Sequence, residues 1–300
     1  MEISPTHISA NQIRDSTSKD ESGSQSLANP MNHTANTRAA TSDYREYAPP
    51  PGLADHFLCF WTQSITGCGE YAQRVLPDGC IDIVFMNDES PVVVGPWVQP
   101  FIARLPGTTN ILGARWHPGR APALLGAPAT ELLNQQVALR DVCSRKLSSS
   151  LERVSEQPNL DARRSALECA LLRLLACVAP SDRILNASLQ WLAHHPDGRI
   201  EKLSRFIGFS SRQLQRRFSA SVGYGPKAFQ SIVRFQRLLH LAGCASRRRS
   251  LVELAACVGY ADQAHMTREV QRLSDCPPTV LFESSRCALQ MSDFFQDSHE

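Results

Sequence analysis

The fold of the C-terminal third is decided by the stretch Ile200-Glu-Lys-Leu-Ser-Arg-Phe-Ile-Gly-Phe-Ser-Ser-Arg-Gln-Leu-Gln-Arg-Arg-Phe218. The chain repeats this pattern once, as Leu251-Val-Glu-Leu-Ala-Ala-Cys-Val-Gly-Tyr-Ala-Asp-Gln-Ala-His-Met-Thr-Arg-Glu-Val270, with matching residues at an offset of 51 or 52. An internal duplication of this size predicts two copies of one supersecondary unit.

Each copy has the pattern of a short helix, a glycine turn and a second helix. In the first copy Leu203 and Ile207 lie one helical turn apart, and Gly208 can end that helix in the left-handed conformation. Leu214 and Phe218 then return to the core at i, i+4 spacing. The pattern predicts two helix-turn-helix units, in which the second helix turns its outer face to a DNA major groove.

Each second helix is preceded by residues that can cap its free N–H groups. Ser210 or Ser211 can do so in the first copy, and Asp262 is the matching residue in the second.

The outer faces of the two second helices carry side chains that can read bases, since arginine bonds guanine and glutamine bonds adenine through two parallel hydrogen bonds. The predicted base-reading residues are Arg212, Gln213, Gln215 and Arg216 in the first copy and Gln263, His265, Thr267 and Arg268 in the second. The alternative is that these residues only form the solvent-exposed faces of amphipathic helices. The presence of the same arrangement in two copies disfavours this alternative.

A helix of about 17 residues and about 25 Å is predicted between the copies, from Pro226 to Ala242. Such a strut would hold the two second helices near the ~34 Å separation of successive turns on one DNA face. Basic residues on and after it are predicted to contact phosphates, which contributes affinity without sequence choice. They are Lys227, Arg234, Arg237, Arg247, Arg248 and Arg249.

From Leu189 to Phe282 the sequence resembles the AraC/XylS family of bacterial transcription regulators. The resemblance is carried by Phe209–Phe218, Gly223–Lys227 and Ser250–Glu269, whose length, order and spacing agree with the family pattern. It implies a seven-helix domain with two reading helices that binds asymmetric promoter sites as a monomer or a dimer. It also implies contact with RNA polymerase and regulation that is more often activation than repression.

Three residues depart from the family pattern. Ser204 replaces a small alanine, Val270 replaces an aromatic residue, and Asp275 replaces the glycine that usually ends the second reading helix. These changes predict that the second reading helix is held less firmly, so base contacts are expected above all from Arg212 and Arg216.

The charge distribution supports one polyanion-binding domain. Between residues 189 and 290 there are fifteen Lys and Arg against seven Asp and Glu, although the net charge of the 300-residue chain is only +2. A basic segment on a nearly neutral body suggests a domain that meets a nucleic acid.

Other classes of protein are excluded by composition. The chain lacks a long apolar run and an apolar N-terminal leader, so we expect a cytoplasmic protein that acts at the bacterial nucleoid, without a membrane partner. None of its ten cysteines forms a Cys-x-x-Cys pair, which disfavours a disulfide scaffold and a structural zinc site. No cofactor is predicted.

The N-terminal half favours short strands. Apolar runs at His56–Trp61, Cys80–Phe85, Val92–Val94 and Ile111–Trp116 are separated by turn residues, and one helix is predicted at Ala121–Asn134. The stretches Tyr44–Leu53, Arg74–Phe85 and Gly113–Gly126 are similar to the sensor domain of one branch of the family, which implies a cupin-like β-barrel. The predicted fold class is therefore α+β, a cupin-like barrel followed by an all-α double helix-turn-helix domain.

Five segments are predicted along the chain. They are a disordered tail at 1–43, the β-rich sensor domain at 44–144, a helical linker or dimerisation segment at 145–187, the DNA-binding domain at 188–286 and an acidic tail at 287–300. Within the linker, an apolar stripe from Leu160 to Val178 has two readings: packing on the adjacent barrel or the seam of a homodimer.

An effector-binding pocket is predicted in the sensor domain, lined by Arg74, Trp97, Arg115 and Trp116, although these residues fit an ordinary core and surface equally well.

His56 and His117 are far apart in sequence, so a catalytic metal is not expected. Asp78 and Asp82 could suggest acid–base chemistry, but Asp78 in Pro-Asp-Gly is typical of a turn. The leading hypothesis is a non-enzymatic transcription regulator with a small-molecule effector; the alternatives are a barrel enzyme with a DNA tether and a protein–protein module.

Overall fold

The computed structural model describes residues 40–176, 178, 182–243 and 249–285, which form a β-rich N-terminal domain followed by a helical domain. The strands are β1 Thr41–Tyr47, β2 Phe57–Thr66, β3 Glu70–Val75, β4 Asp82–Met86, β5 Val92–Val94, β6 Phe101–Pro106, β7 Thr109–Trp116 and β8 Gln136–Ala138. The predicted order of a β-rich domain and a helical domain is confirmed.

The strands form two antiparallel sheets. Six strands lie in the order β1-β2-β7-β4-β5-β8, and β3 pairs with β6 in a separate two-stranded sheet. Alternate residues of β2 show how the large sheet is covered on both faces. Phe60 packs towards the helices that follow the sheet, and Trp61 packs towards the β3–β6 pair with Leu105.

The chain enters the sheet earlier than the sequence predicts. The strand β1 begins at Thr41, and its Tyr44 pairs with Gln63 of β2. The predicted tail therefore ends before residue 41, and residues 1–39 of that tail lie outside the described residues.

The helix predicted at Ala121–Asn134 is wrong in its extent. The structure has a five-residue helix at Ala121–Leu125 and a separate 3₁₀ turn at Ala129–Leu132. Gly126 takes a left-handed conformation with φ of 80° and ends the first piece.

The α-helices are α1 Ala121–Leu125, α2 Leu139–Val142, α3 Arg145–Glu152, α4 Leu160–Leu175, α5 Arg183–His194, α6 Ile200–Ile207, α7 Ser211–Val222, α8 Pro226–Gly243, α9 Leu251–Cys257, α10 Gln263–Ser274 and α11 Pro278–Ser285. Seven of them, from α5 to α11, belong to the helical domain. This domain begins earlier than the predicted boundary at residue 188, because Leu185 and Leu189 of α5 both lie in its core.

The apolar stripe of α4 packs within its own chain. Leu167 and Leu171 are fully buried in the core of the β-rich domain, together with Trp116 and Phe60 of the large sheet. Of the two predictions for this stripe, packing on the adjacent N-terminal domain applies to Leu167 and Leu171. A homodimer would have to use other residues.

The core of the helical domain follows the duplicated pattern. Leu203, Leu214 and Phe218 of the first copy are fully buried, and so are Met266 and Val270 of the second. Each copy therefore turns one face of its second helix inward and leaves the opposite face exposed.

Candidate nucleic-acid interface

The helix α7 is the first reading helix, and its start is fixed by local hydrogen bonds. Ser210 accepts a hydrogen bond from the backbone N–H of Gln213, while the Gln213 side chain accepts one from the backbone N–H of Ser210, at 3.0 Å. This capping box satisfies free N–H groups at the helix start. The preceding helix ends at Gly208, whose φ is 70°, so the predicted glycine turn is confirmed.

Two of the predicted base-reading residues on α7 are free to meet a ligand. Arg212 and Arg216 are exposed, and neither makes a hydrogen bond or ion pair with any residue that the structure describes. Gln213 is occupied by the capping box. Gln215 bends along the helix, where its Nε2 donates to Ser219 Oγ at 3.3 Å and its amide covers the backbone of Gly225.

Arg217 was not predicted as a functional residue, and it holds α7 in place. Its guanidinium pairs with Asp182, the residue that caps α5, and lies 5.0 Å from the ring centre of Phe209. The adjacent Arg216 and Arg217 thus have different roles, one exposed and one anchored. The sequence signal for this is the helical spacing, since Arg217 lies about 100° around the helix from Arg216.

The helix α10 is the second reading helix, and Asp262 caps it by accepting from the backbone N–H of His265 at 2.6 Å. Gln263 and Arg268 are exposed. His265 is held more closely, because its ring lies edge-on to Tyr260 with ring centres 5.4 Å apart.

The second reading helix, α10, has a smaller exposed face than the first, α7. Thr267 and His265 are only half-exposed, whereas Arg212 and Arg216 are exposed. The base contacts predicted for all eight residues stay predictions, and the geometry favours Arg212 and Arg216 of α7 and Arg268 of α10.

Arg234 is buried, with only 5% of its side chain exposed, which argues against the phosphate contact predicted for it. It forms an ion pair of 3.0 Å with Glu269 of α10 and donates to the carbonyl oxygen of Pro196 at 2.9 Å. Burial alone would raise the pKa of Glu269, but the hydrogen bonds and charge of Arg234 lower it. The sequence shows a basic residue here but not its burial, since the partner lies 35 residues away.

The other predicted phosphate contacts differ in their surroundings. Lys227 is exposed and its ammonium group donates to Gln230 Oε1 at 3.1 Å. Arg237 is half-buried without an ion-pair partner among the described residues, and burial lowers the pKa of its guanidinium group. Arg247 and Arg248 lie outside the described residues.

The N-terminal domain contacts the C-terminal end of each reading helix. Gly223, which ends α7 with φ of 95°, lies against Pro96 and Ala129, so that a Cβ atom there would come within 2.8 Å of the proline ring. At the end of α10, Arg74 of β3 donates to the carbonyl oxygen of Ser274 at 2.7 Å. The N-terminal domain therefore contacts both reading helices, α7 and α10, at their C-terminal ends.

The connecting helix α8 is also held by the N-terminal domain, through the turn between β3 and β4. Gln236 donates a hydrogen bond of 2.6 Å to the carbonyl oxygen of Pro77. Gly79 lies so close to Tyr224 and Phe229 that a Cβ atom would be 3.1 Å from the tyrosine oxygen. The turn that the sequence marks as Pro-Asp-Gly is thus a docking element.

The four residues predicted to line an effector pocket do not converge. Arg74 is used in the contact with Ser274, and Trp116 is fully buried against the helices. Trp97 stacks on Phe101 with ring centres 4.1 Å apart. Since Arg115 and Trp116 are neighbours on β7, their side chains point to opposite faces of the sheet.

Arg115 belongs to a half-buried ionic group on the large sheet, with 17% of its side chain exposed. Its Nε and Nη2 atoms both donate to the carboxylate of Asp82, and Nε lies 3.5 Å from Asp78 Oδ2. Burial opposes its charge, but the two carboxylates raise the pKa of Arg115 well above its usual value. Asp78 also accepts from the backbone N–H of Cys80 at 2.9 Å, in the manner of the predicted turn residue.

Neither a metal cluster nor a membrane helix occurs in the part of the chain that the structure describes. No group of three or more His, Cys, Asp or Glu side chains there is arranged to hold a metal ion. No helix there is long and apolar enough to cross a bilayer.

Two family models match the chain. Residues 203–284 match a helix-turn-helix domain, and residues 45–138 match a domain of unknown function (DUF6597). No curated protein matches the chain significantly.

Solved structures similar to the chain include proteins from two bacteria. ToxT of Vibrio cholerae is 8% identical, with a TM-score of 0.42 over 82% of this chain and 98% of that one. ToxT bound to an unsaturated fatty acid is 12% identical, with a TM-score of 0.36 over 81% and 95%. The C-terminal domain of AraT, a response regulator of Geobacillus stearothermophilus, is 18% identical, with a TM-score of 0.33 over 37% and 92%.

Proposed function

We propose that this protein, a DNA-binding regulator with an AraC-type helix-turn-helix domain in its C-terminal third, activates transcription under the control of a small-molecule effector. The effector would act through the N-terminal domain. The observation that carries this proposal is that the N-terminal domain holds the ends of both reading helices.

Sequence-specific recognition is proposed to rest on both reading helices. Arg212 and Arg216 of α7 have free guanidinium groups on an exposed face, which suits bidentate contact with guanine. Gln263 and Arg268 occupy the exposed face of α10 and would read a second group of bases. The two faces carry different side chains, so the expected DNA site has two unlike halves.

Effector control is proposed to use the contacts between the domains. A ligand that shifts Arg74 or Pro96 would change how the ends of α10 and α7 are held, because both contacts are direct. A ligand can only shift this arrangement by as much as its affinity differs between two states. We propose no chemical class for the effector.

Activation is proposed to involve RNA polymerase, and this part is supported only by the sequence resemblance. We also propose that homodimerisation, where it occurs, does not use Leu167 and Leu171, because both are buried in their own protomer. Sedimentation of the full chain with and without DNA measures the oligomeric state.

The test of the proposed function is the recovery of DNA fragments bound by the full-length protein from sheared genomic DNA. A regulator of this type recovers a small set of promoter fragments that share one asymmetric motif, and its binding weakens steeply with salt. Recovery of fragments without a common motif, or binding that does not depend on salt, would overturn the proposal. A promoter fused to a reporter gene then separates activation from repression.

A further inference from the structure

The helix that joins the two repeats, α8, carries polar side chains where a helix core would usually be apolar. Gln230, Ser231 and Arg234 are all buried, with 0%, 8% and 4% of their surfaces exposed. Polar groups are buried at a cost unless they are paired, so their partners show what these three side chains do.

The partners lie in the loop that precedes the first repeat and in the second repeat. Gln230 donates to the carbonyl oxygen of Gly198 at 2.6 Å, in the loop before α6. Arg234 donates from Nη1 to the carbonyl oxygen of Pro196 in that same loop, at 2.9 Å. On its other side Arg234 donates from Nη2 to both carboxylate oxygens of Glu269, at 3.2 Å and 3.0 Å.

The carboxylate is held from two positions on α8. Glu269 Oε2 also accepts a hydrogen bond from Ser231 Oγ at 2.7 Å. The Arg234 guanidinium lies 5.3 Å from the ring centre of Tyr260, the residue that directly follows the glycine turn of the second repeat. Glu269 lies in the middle of α10, on the face opposite the exposed one. A single guanidinium group thus connects the entry to the first repeat with the reading helix of the second.

Such contacts constrain geometry in a way that apolar packing does not. Burial of apolar surface is non-directional, whereas a planar guanidinium holds a carboxylate in a fixed orientation. Stability alone does not explain the pair, because replacing a buried ion pair with apolar side chains of similar volume is often neutral or stabilising.

We propose that Arg234 and Glu269 are positioning residues that fix the distance and angle between the two reading helices, and so set the spacing between the two halves of the DNA site. This inference rests on the proposed function, since it requires that both helices read DNA. In the absence of the pair, the apolar core keeps the domain folded while α10 gains freedom to turn relative to α7.

The experiment is a selection from a randomised DNA duplex library with the full-length protein, in which every recovered sequence gives the distance between its two half-sites. The main variant is R234M/E269L, which replaces the pair with apolar side chains. The matched control is R164M/E168L, which removes the 2.7 Å Arg164–Glu168 pair of α4, outside the repeats. Thermal unfolding of each protein shows that it is folded.

We expect wild type and the control variant to recover two half-sites at one spacing. R234M/E269L is expected to recover the same half-sites at several spacings. It is also expected to bind DNA with the wild-type spacing about tenfold more weakly, because two linked helices gain affinity only when they are held at the distance of their half-sites. A folded R234M/E269L variant with an unchanged single spacing would overturn the inference. If wild type itself recovers no pair of half-sites, the proposed function fails instead.

A second variant keeps the test decisive if R234M/E269L does not fold. Arg234→Lys retains the positive charge but lacks the fork that reaches Pro196 and Glu269 together. It is expected to broaden the spacing in the same direction. An Arg234→Lys variant that binds more weakly at one unchanged spacing shows a purely structural role and contradicts the proposal.

Discussion

Arg74 of the N-terminal domain donates a 2.7 Å hydrogen bond to the carbonyl oxygen of Ser274, the last residue of the second reading helix. Carbonyl groups at the end of a helix lack partners within the helix and carry partial negative charge, so a cationic donor is well placed there. The contact connects residues 200 positions apart in sequence. It connects the N-terminal domain directly to the end of α10.

Replacing Arg74 with alanine should loosen the end of α10. The lost hydrogen bond is expected to lower local stability by about 0.5–1.5 kcal/mol. Hydrogen exchange should therefore become faster for the backbone amides near Ser274 and stay unchanged in α7. The control is Arg104→Ala, which removes an exposed ion pair with Glu70 on the same pair of strands. Equal protection of α10 in both variants would contradict the assignment.

Arg216→Ala and Arg217→Ala should have different effects although the residues are adjacent. Loss of Arg216 is expected to cost about 1–3 kcal/mol of binding at one base position and to relax the preference there, without changing stability. Loss of Arg217 removes its contacts with Asp182 and Phe209, so we expect about 0.5–1 kcal/mol of lost stability. Binding to a panel of single-base site variants and thermal unfolding measure the two effects. The interpretation fails if the two variants behave alike.

Arg237→Ala should weaken binding to all DNA sequences to the same degree. Arg237 is half-buried with no described ion-pair partner, so a phosphate is the expected counter-charge. The slope of log affinity against log salt should become shallower by about one. A change that depends on the base sequence would instead assign Arg237 to base reading.

The Arg234–Glu269 pair should make stability depend on acid pH. The pKa of Glu269 is lower in the folded state than the ordinary value of 4.5, so its ionised form stabilises the fold. This stabilisation is complete above about pH 4.5 and is lost as the pH falls through the lowered folded-state pKa. Glu269→Gln should therefore melt at a lower temperature than wild type at about pH 7, and the difference should shrink at about pH 3.5. A difference independent of pH would show that Glu269 is not ionised in the fold.

Asp275→Gly should stabilise the end of the second reading helix. Asp275 has φ of 55°, a left-handed conformation in which glycine carries no steric penalty. The expected gain is about 0.5–1 kcal/mol, seen as a higher unfolding temperature. Asp275→Ala is the control and should destabilise, since alanine is disfavoured there. Stabilisation by alanine as well would point to removal of charge rather than to backbone conformation.

The repeated helix-turn-helix pattern was predictable because its signals are local. Gly208, Ser210 and Asp262 each act on residues within one turn, and the apolar spacing of Leu214 and Phe218 defines one buried face. The start of β1 at Thr41 was missed because Thr41–Tyr47 contains few apolar residues and owes its strand conformation to pairing with β2.

The burial of Arg234 and the role of Arg74 were not predictable from the sequence. Their partners Glu269 and Ser274 lie 35 and 200 residues away, and no local pattern marks either contact. A basic side chain on an amphipathic helix is expected to be exposed until the position of its neighbour is known. The predicted pocket around Arg115 and Trp116 failed for a simpler reason, since adjacent strand residues face opposite sides of a sheet.

The free guanidinium groups of Arg212 and Arg216 have a consequence for the evolution of this regulator. Because neither side chain supports the core, mutation can exchange both without an intermediate that misfolds. If these two arginines read bases as proposed, gene duplicates would acquire new operators by changing these surface positions alone, while Leu214 and Phe218 preserve the core beneath them.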